Sequence, residues 1–190
     1  MKYKIAFLDR DGVVNKDNKY VYKISEFEFI EGIFDFCRFL LSINYKIFIV
    51  TNQSGIARGY FSEEDYQILT QWLNARFNKE KIRIESFIHC PFHPESKIKI
   101  YKKDSFMRKP NPGMIKLVEE SINIDKDKSF IVGDKESDIE CSFRAGLKYG
   151  FLINNNKKIS NNFLLDKKLF YLKRVNNFNQ INEFILNKIL

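Results

Sequence analysis

Short apolar runs alternate with stretches of helical periodicity along most of the chain. The runs predict strands, and the stretches between them place apolar residues three or four positions apart, as amphipathic helices do. This alternation indicates a parallel sheet with helices on both faces, a three-layer Rossmann-like α/β fold. The predicted elements are, in order, strand Lys4–Leu8, helix Gly32–Ser42, strand Lys46–Val50, helix Glu63–Phe77, strand Ile84–Ile88, helix Pro112–Ser121, strand Ser129–Val132, helix Asp138–Ala145 and strand Tyr149–Ile153.

The C-terminal part of the chain predicts a surface loop at Asn154–Asn162, an edge strand at Leu169–Val175 and a closing helix at Gln180–Leu190. With 190 residues and 44% hydrophobic composition, the chain can bury one substantial core but has no room for a second large one. We therefore expect residues 1–190 to form a single domain. We expect no separate cap domain, because one loop and one helix occupy the stretch between Asp11 and Thr51.

Composition and charge leave the partner open but favour one compartment. The chain has 32 Lys and Arg against 24 Asp and Glu, and its net charge of +8 suits an anionic substrate or nucleic acid, although a general bias towards Lys and Asn also explains it. The three cysteines, Cys37, Cys90 and Cys141, have no paired spacing, which favours a reducing compartment. No stretch approaches 18 uncharged apolar residues, so we expect a cytoplasmic protein with neither signal peptide nor membrane span.

Two carboxylates, Asp9 and Asp11, directly follow the first predicted strand. Open α/β sheets carry their chemistry at the carboxyl ends of the strands, so this loop is a candidate active site. Like charges this close raise each other's pKa unless a cation or hydrogen-bond donors keep them ionised, and the pair therefore indicates Mg²⁺. Gly12 allows a tight turn beside the ligand.

Three further polar loops belong to the same predicted site. Thr51–Gly55 follows the second strand and offers hydroxyl and backbone N–H groups to a phosphate. Arg108–Gly113 opens a helix, and Gly133–Asp138 follows the fourth strand with two more carboxylates, Asp134 and Asp138. The later motifs are individually weak, but all of them in this order and context form a specific pattern.

In this order the loops resemble the Asp-x-Asp, Thr, Lys and Gly-Asp-x-x-x-Asp motifs of the haloacid-dehalogenase superfamily of phosphohydrolases. Within it, most of residues 5–150 resemble the D-glycero-D-manno-heptose 1,7-bisphosphate 7-phosphatases, which serve nucleotide-activated heptose biosynthesis for lipopolysaccharide or capsule. The histidinol-phosphate phosphatases share much of this pattern, but the long shared runs favour the heptose enzymes. Those runs are Phe7–Asn15, Phe27–Gly32, Thr51–Gly59 and Arg108–Met114.

The resemblance implies hydrolysis of a phosphate monoester through an aspartyl-phosphate. Asp9 is then the nucleophile, and Asp11 acts first as general acid and afterwards as general base. Mg²⁺ is expected to be held by Asp9, the backbone carbonyl of Asp11 and Asp134, with Lys135 adjacent and helping to position Asp134.

The remaining polar residues are assigned to the substrate. Thr51 and Lys109 are expected to hold the transferring phosphoryl oxygens, with Asp138 orienting Lys109. Arg108 is the best candidate for substrate recognition, because its planar fork suits phosphate. The predicted substrate-binding residues are Asp17, Tyr20, Thr51, Asn52, Gln53, Ser54, Arg58, Arg108 and Lys109.

One departure from the resemblance concerns zinc. These phosphatases commonly order the loop before Arg108 with a zinc site, and the matching positions here are Cys90, Phe92, Ser105 and Met107. A closed structural zinc site needs four ligands, and Cys90 with a nearby His93 or His89 supplies two, so we predict no zinc. The loop from Lys97 to Lys109 is also rich in Lys, which is typical of a solvated face but also suits a second phosphate on the substrate.

The partner predicted from these motifs is a small phosphorylated sugar, bound by a monomer without nucleic acid or membrane. The alternative is a histidinol-phosphate phosphatase or another small-molecule phosphatase of the same superfamily. A nucleic-acid-directed protein fits the charge, but the sequence lacks the interleaving of aromatic and basic residues that is typical of RNA binding. A catalytically dead scaffold is disfavoured because every expected catalytic residue is present. The sequence leaves the sugar anomer open.

Overall fold

Six parallel strands form one sheet in a computed structural model that describes residues 1–153 and 170–190. The spatial order of the strands is β3-β2-β1-β4-β5-β6, and each neighbouring pair is parallel. The α/β class predicted from the alternating pattern is therefore confirmed. The strands are β1 (Lys4–Leu8), β2 (Tyr45–Asn52), β3 (Ser86–Cys90), β4 (Phe130–Gly133), β5 (Tyr149–Ile153) and β6 (Tyr171–Val175).

Helices cover both faces of the sheet, because successive residues of a strand point to opposite sides. Ala6 and Leu8 of β1 belong to a core with the helices Ile33–Ser42, Glu63–Lys79 and Phe178–Lys188. Ile5 and Phe7 belong to a second core with the helices Gly113–Ser121 and Glu136–Ala145. Three-residue 3₁₀ helices lie at Ile24–Glu26 and Lys99–Tyr101. The α-helices are α1 (Ile33–Ser42), α2 (Ser54–Ala57), α3 (Glu63–Lys79), α4 (Gly113–Ser121), α5 (Glu136–Ala145) and α6 (Phe178–Lys188).

The observed elements differ from the predicted ones mainly at their ends. The second strand continues through Thr51 and Asn52, because both pair with β3. The third strand starts two residues later than predicted, because its pairing with β2 begins at Ser86. The buried Ile82 and Ile84 belong to the segment that leads into it. Helix α2 was not predicted, because its four residues are too few to show periodicity. The predicted loop at 154–162 lies outside the described residues.

The order of the strands reverses at β1, since the chain continues to β2 and β3 on one side of it and to β4, β5 and β6 on the other. In open α/β sheets, ligands bind beyond the carboxyl ends of the strands at such a switch point. Asp9, Gln53 and Asp134 directly follow β1, β2 and β4 and therefore meet there. In residues 12–44, the 3₁₀ helix at Ile24–Glu26 and α1 leave no room for a separate cap.

No helix in the described part of the chain combines the length and apolar character needed to span a bilayer.

Candidate active site

Asp9 lies at the carboxyl end of β1 and is 5% exposed. Its backbone N–H donates to the carbonyl of Val132 at 2.9 Å, which fixes the start of the loop against β4. One carboxylate oxygen accepts from the backbone N–H of Arg10 at 2.8 Å and lies 2.8 Å from Lys109 Nζ. Burial is the main cause that raises the pKa of Asp9, to about 7. Lys109 lowers this pKa, whereas Asp138 and Asp134 raise it further.

Lys109 is buried between two carboxylates at the floor of the site. Its Nζ lies 2.8 Å from Asp9 and 2.5 Å from Asp138, and it donates to the carbonyl of Val50 at 2.9 Å. Burial lowers the pKa of Lys109, but the two carboxylates outweigh it and raise the pKa above its ordinary value. Asp138 is thus placed where it can orient Lys109, as the sequence predicts.

Asn52 holds the backbone of Lys109 in place. Its amide donates to the Lys109 carbonyl at 2.9 Å and accepts from the Lys109 N–H at 3.0 Å. Thr51 is 1% exposed, and its hydroxyl accepts from Gln53 Nε2 at 2.7 Å. These contacts bring the end of β2 and the loop before α4 to one point.

Asp11 is held quite differently from Asp9. Its carboxylate accepts hydrogen bonds from the guanidinium of Arg10, at 2.9 Å to each oxygen, and from Asn15 and Gln53 at 3.0 Å each. Burial opposes ionisation, but these donors outweigh it, Arg10 most of all, and lower the pKa of Asp11 below its ordinary value. Two carboxylates two residues apart therefore have opposite pKa shifts.

Three carboxylates converge beside Asp9. Oxygens of Asp9, Asp134 and Asp138 all lie within 4.8 Å of one another, and burial raises the pKa of Asp134 to about 6. Gly12, with φ +90°, makes this approach possible, because a Cβ there would lie 2.3 Å from Asp134 Cγ. Asp138 already contacts Lys109 and accepts from the N–H of Lys135 at 3.1 Å. Asp9 and Asp134 thus fit a hard cation, which prefers carboxylate oxygens.

A cleft of about 580 Å³ opens above these groups. Lys135 Nζ crosses one side of it and lies 2.9 Å from Asp17 and 3.8 Å from Asp134. The rings of Tyr20 and Tyr60 meet edge to face at 4.7 Å. The predicted site residues in the lining are Asp11, Asp17, Tyr20, Asn52, Gln53, Ser54, Arg108, Lys109 and Lys135.

Two of the predicted substrate-binding residues lie outside the cleft lining, the buried Thr51 and, on the surface, Arg58. Arg58 is exposed, and its Nη2 is 3.3 Å from His93 Nε2. Conversely, sequence reasoning missed Lys19 and Ser137, which line the cleft, and Arg10 and Asn15, which contact Asp11. The position of Arg10 between two aspartates was the available signal.

The four positions that match the zinc site are part of the packing of this loop. Cys90 is buried, and Phe92 and Met107 pack against the core that includes it. Ser105 is 3% exposed, and its hydroxyl accepts from the N–H of Met107 at 3.2 Å. Side-chain packing and hydrogen bonds therefore tie this loop together.

Comparisons with known sequences agree on the family to which this chain belongs. The family model described as polynucleotide kinase 3 phosphatase matches residues 4–180. The D-glycero-alpha-D-manno-heptose-1,7-bisphosphate 7-phosphatase of Photorhabdus laumondii is 40% identical over 177 residues, which cover 92% of this chain and 97% of the relative. The D-glycero-beta-D-manno-heptose-1,7-bisphosphate 7-phosphatase of Vibrio cholerae is 42% identical over 155 residues, with 82% and 83% covered.

Solved structures show the same fold. A HAD-like phosphatase from Mesorhizobium loti superposes with a TM-score of 0.85 at 26% identity, covering 97% of this chain and 85% of that one. A D,D-heptose 1,7-bisphosphate phosphatase from B. bronchiseptica, complexed with magnesium and phosphate, gives a TM-score of 0.79 at 24% identity, with 97% and 99% covered. The chain therefore belongs to the haloacid-dehalogenase phosphatases, in the family described by the polynucleotide kinase 3 phosphatase model and shared with the heptose-1,7-bisphosphate 7-phosphatases.

Proposed function

We propose that this protein is a Mg²⁺-dependent phosphate monoester hydrolase that removes the 7-phosphate of D-glycero-D-manno-heptose 1,7-bisphosphate. The observation that carries the proposal is the buried Asp9–Lys109–Asp138 cluster at the sheet's switch point, in a chain about 40% identical to heptose-bisphosphate phosphatases over nearly its full length. The pathway would be nucleotide-activated heptose biosynthesis.

In the first step, an Asp9 oxygen attacks phosphorus, and the bond from phosphorus to the sugar oxygen breaks. Asp11, protonated for this step, gives its proton to the leaving oxygen, so the sugar departs as an alcohol. Lys109 Nζ, 2.8 Å from Asp9, supplies a fixed positive charge next to the phosphoryl group, and the Thr51 hydroxyl donates to one of its oxygens.

In the second step, water attacks phosphorus of the aspartyl-phosphate. Asp11, now a carboxylate, takes a proton from that water, and the bond between phosphorus and Asp9 breaks to release inorganic phosphate. The low pKa of Asp11 suits this second role better than the first, because its resting contacts stabilise the carboxylate.

The residues that would hold Mg²⁺ are Asp9, Asp134 and the backbone carbonyl of Asp11, with Lys135 next to Asp134. A bound Mg²⁺ would offset the repulsion between carboxylate and phosphate and stabilise transition-state charge. Asp138 would orient Lys109 from outside this set, because its carboxylate already contacts that side chain.

Arg108 is proposed to bind the distal phosphate of the substrate. Its guanidinium lines the cleft, and Nη1 donates to the Phe92 carbonyl at 3.4 Å. Burial is the main cause that lowers the pKa of Arg108, and the nearby Arg58 lowers it further. Tyr20, Asp17 and Ser54 would contact the sugar between the two phosphates.

Several coarser features complete the proposal. The sheet contains both the first and the last strand, which supports one domain over residues 1–190. The three cysteines are free and buried, in keeping with a cytoplasmic enzyme. We propose that it acts as a monomer. Its substrate would be a small molecule, because a cleft of about 580 Å³ suits a sugar phosphate better than a polynucleotide.

Phosphate release from the α and β anomers of heptose 1,7-bisphosphate, with histidinol phosphate in parallel and with and without Mg²⁺, tests the proposal. We expect one heptose anomer to be turned over fastest and only with Mg²⁺. Faster turnover of histidinol phosphate would transfer the proposal to the alternative substrate.

A further inference from the structure

Arg10 lies between the two aspartates, and its side chain is 2% exposed. It is among the largest fully buried side chains of the described residues. Removing a guanidinium from water is costly unless excellent hydrogen bonds replace the lost solvation. The contacts of Arg10 therefore indicate why a charged side chain is kept here.

The guanidinium donates hydrogen bonds to Asp11 and to Val21, at the far end of the same loop. Nη2 donates to both Asp11 oxygens at 2.9 Å, and Nε donates to Oδ1 at 3.2 Å. Nη2 also donates to the carbonyl of Val21 at 2.7 Å. The Arg10 side chain thus connects Asp11, the proposed general acid and base, to the loop that borders the cleft.

Asn15 and Gln53 hold Asp11 from other directions. Asn15 is fully buried, and its Nδ2 donates to Asp11 Oδ1 at 3.0 Å and to the carbonyl of Lys16 at 2.8 Å. Gln53 Nε2 bridges Asp11 Oδ2 and the Thr51 hydroxyl, at 3.0 and 2.7 Å. With donors on several sides, the carboxylate has one orientation, and it still lines the cleft.

We propose that Arg10 and Asn15 are positioning residues, which hold the Asp11 carboxylate where it exchanges protons with the leaving oxygen and then with water. This inference rests on the proposed hydrolase function. A purely structural role, in which Arg10 only stabilises the loop, would affect every substrate alike. A positioning role affects most strongly the substrates whose leaving group needs a proton.

The test compares Arg10→Met with wild type on glycerol 3-phosphate, whose alkoxide needs protonation, and on p-nitrophenyl phosphate, whose phenolate does not. The ratio kcat/KM reports the steps up to formation of the aspartyl-phosphate. General acid catalysis contributes about 10²- to 10⁴-fold, so we expect a loss of at least about 10²-fold on the alkyl substrate and less than about threefold on the aryl one. Arg38→Met, on the exposed face of α1, is the matched control and should change neither rate.

Circular dichroism establishes whether Arg10→Met folds. If it does not, Arg10→Lys carries the test, because lysine keeps the charge but lacks the fork that reaches both Asp11 oxygens. Arg10→Lys should also lose more kcat/KM on the alkyl substrate than on the aryl one, but by a smaller factor than Arg10→Met. Equal losses on the two substrates, or no loss on either, overturn the proposal. Failure of the wild-type protein to hydrolyse heptose 1,7-bisphosphate would count against the proposed function instead.

Discussion

The charges on the floor of the cleft are paired with each other, whereas those at its rim are not. On the floor, which comprises Asp9, Lys109 and Asp138, the buried lysine lies within 3 Å of both carboxylates. The rim comprises Arg108, which lines the cleft, and the neighbouring Arg58, which lies outside the lining. Neither guanidinium makes an ion pair with a carboxylate among residues 1–153 and 170–190. The floor is thus preorganised by the protein, whereas the rim supplies charge that a ligand can use.

This difference separates stability from selectivity. Removing one member of a buried ion pair leaves an uncompensated charge, at a cost of about 3–5 kcal/mol in the free energy of unfolding. An exposed charge contributes about 0–1 kcal/mol. Substituting Lys109, which both carboxylates share, should therefore affect chemistry and folding together. Substitutions at the rim should change substrate preference while the fold is kept.

Asp9→Asn is expected to have the largest effect, a loss of at least about 10⁴-fold in kcat on every substrate, because it removes the nucleophile. The free energy of unfolding should hold or rise, since the amide keeps the shape and relieves the repulsion from Asp134 and Asp138. Steady-state kinetics and urea unfolding measure the two quantities. More than trace turnover by this variant would falsify the covalent mechanism.

Arg108→Ala should raise KM for a bisphosphate sugar far more than for a small monophosphate, because only the former offers a distal phosphate. A lost charge-assisted contact is worth about 1.5–3 kcal/mol, or roughly 10- to 150-fold in kcat/KM. Lys97→Ala, an exposed charge on the same loop, is the control and should leave both substrates unchanged.

Lys109→Ala gives the contrasting pattern for the floor. It should lower kcat on both substrates, because Lys109 serves the phosphoryl group that both of them transfer. If Arg108→Ala and Lys109→Ala show the same loss regardless of substrate, the division between rim and floor is wrong.

The sequence predicted the floor better than the rim, for a physical reason. Asp9 directly follows β1, and Asp138 lies in the first turn of α5, which follows β4, so apolar periodicity predicts where both lie. Lys109 lies in the loop before α4, where Asn52 at the end of β2 holds its backbone. Arg58 was assigned to the substrate from a contiguous motif, yet the short helix α2 leads it towards His93 and out of the cleft lining. The position of Arg10 between two aspartates is a local signal for its contact with Asp11, but its hydrogen bond to the Val21 carbonyl depends on a return of the loop that no local pattern predicts.

The pH dependence of stability tests the charge on the floor of the cleft, through the pKa of Asp9. Asp9 has a folded pKa of about 7 against an ordinary 3.8, so the folded state binds the extra proton and stability falls as pH rises through this window. Without Mg²⁺, the free energy of unfolding should fall by about 2 kcal/mol more in wild type than in Asp9→Asn between pH 5 and 7.5. The free energy of unfolding is measured by urea titration at each pH. If it changes equally with pH in the two proteins, Asp9 is not the group responsible.

Zinc removal is expected to have the smallest effect. Burial raises the pKa of the Cys90 thiol, which disfavours the thiolate that zinc requires, and Phe92 and Met107 pack against the core instead of offering ligands. Purified protein should hold less than stoichiometric zinc and regain full activity after chelation once Mg²⁺ is added back. Elemental analysis and phosphate release before and after chelation measure this. One tightly held zinc per chain would mean that this loop near the rim depends on metal for its order, and packing alone would then not explain how Arg108 is placed.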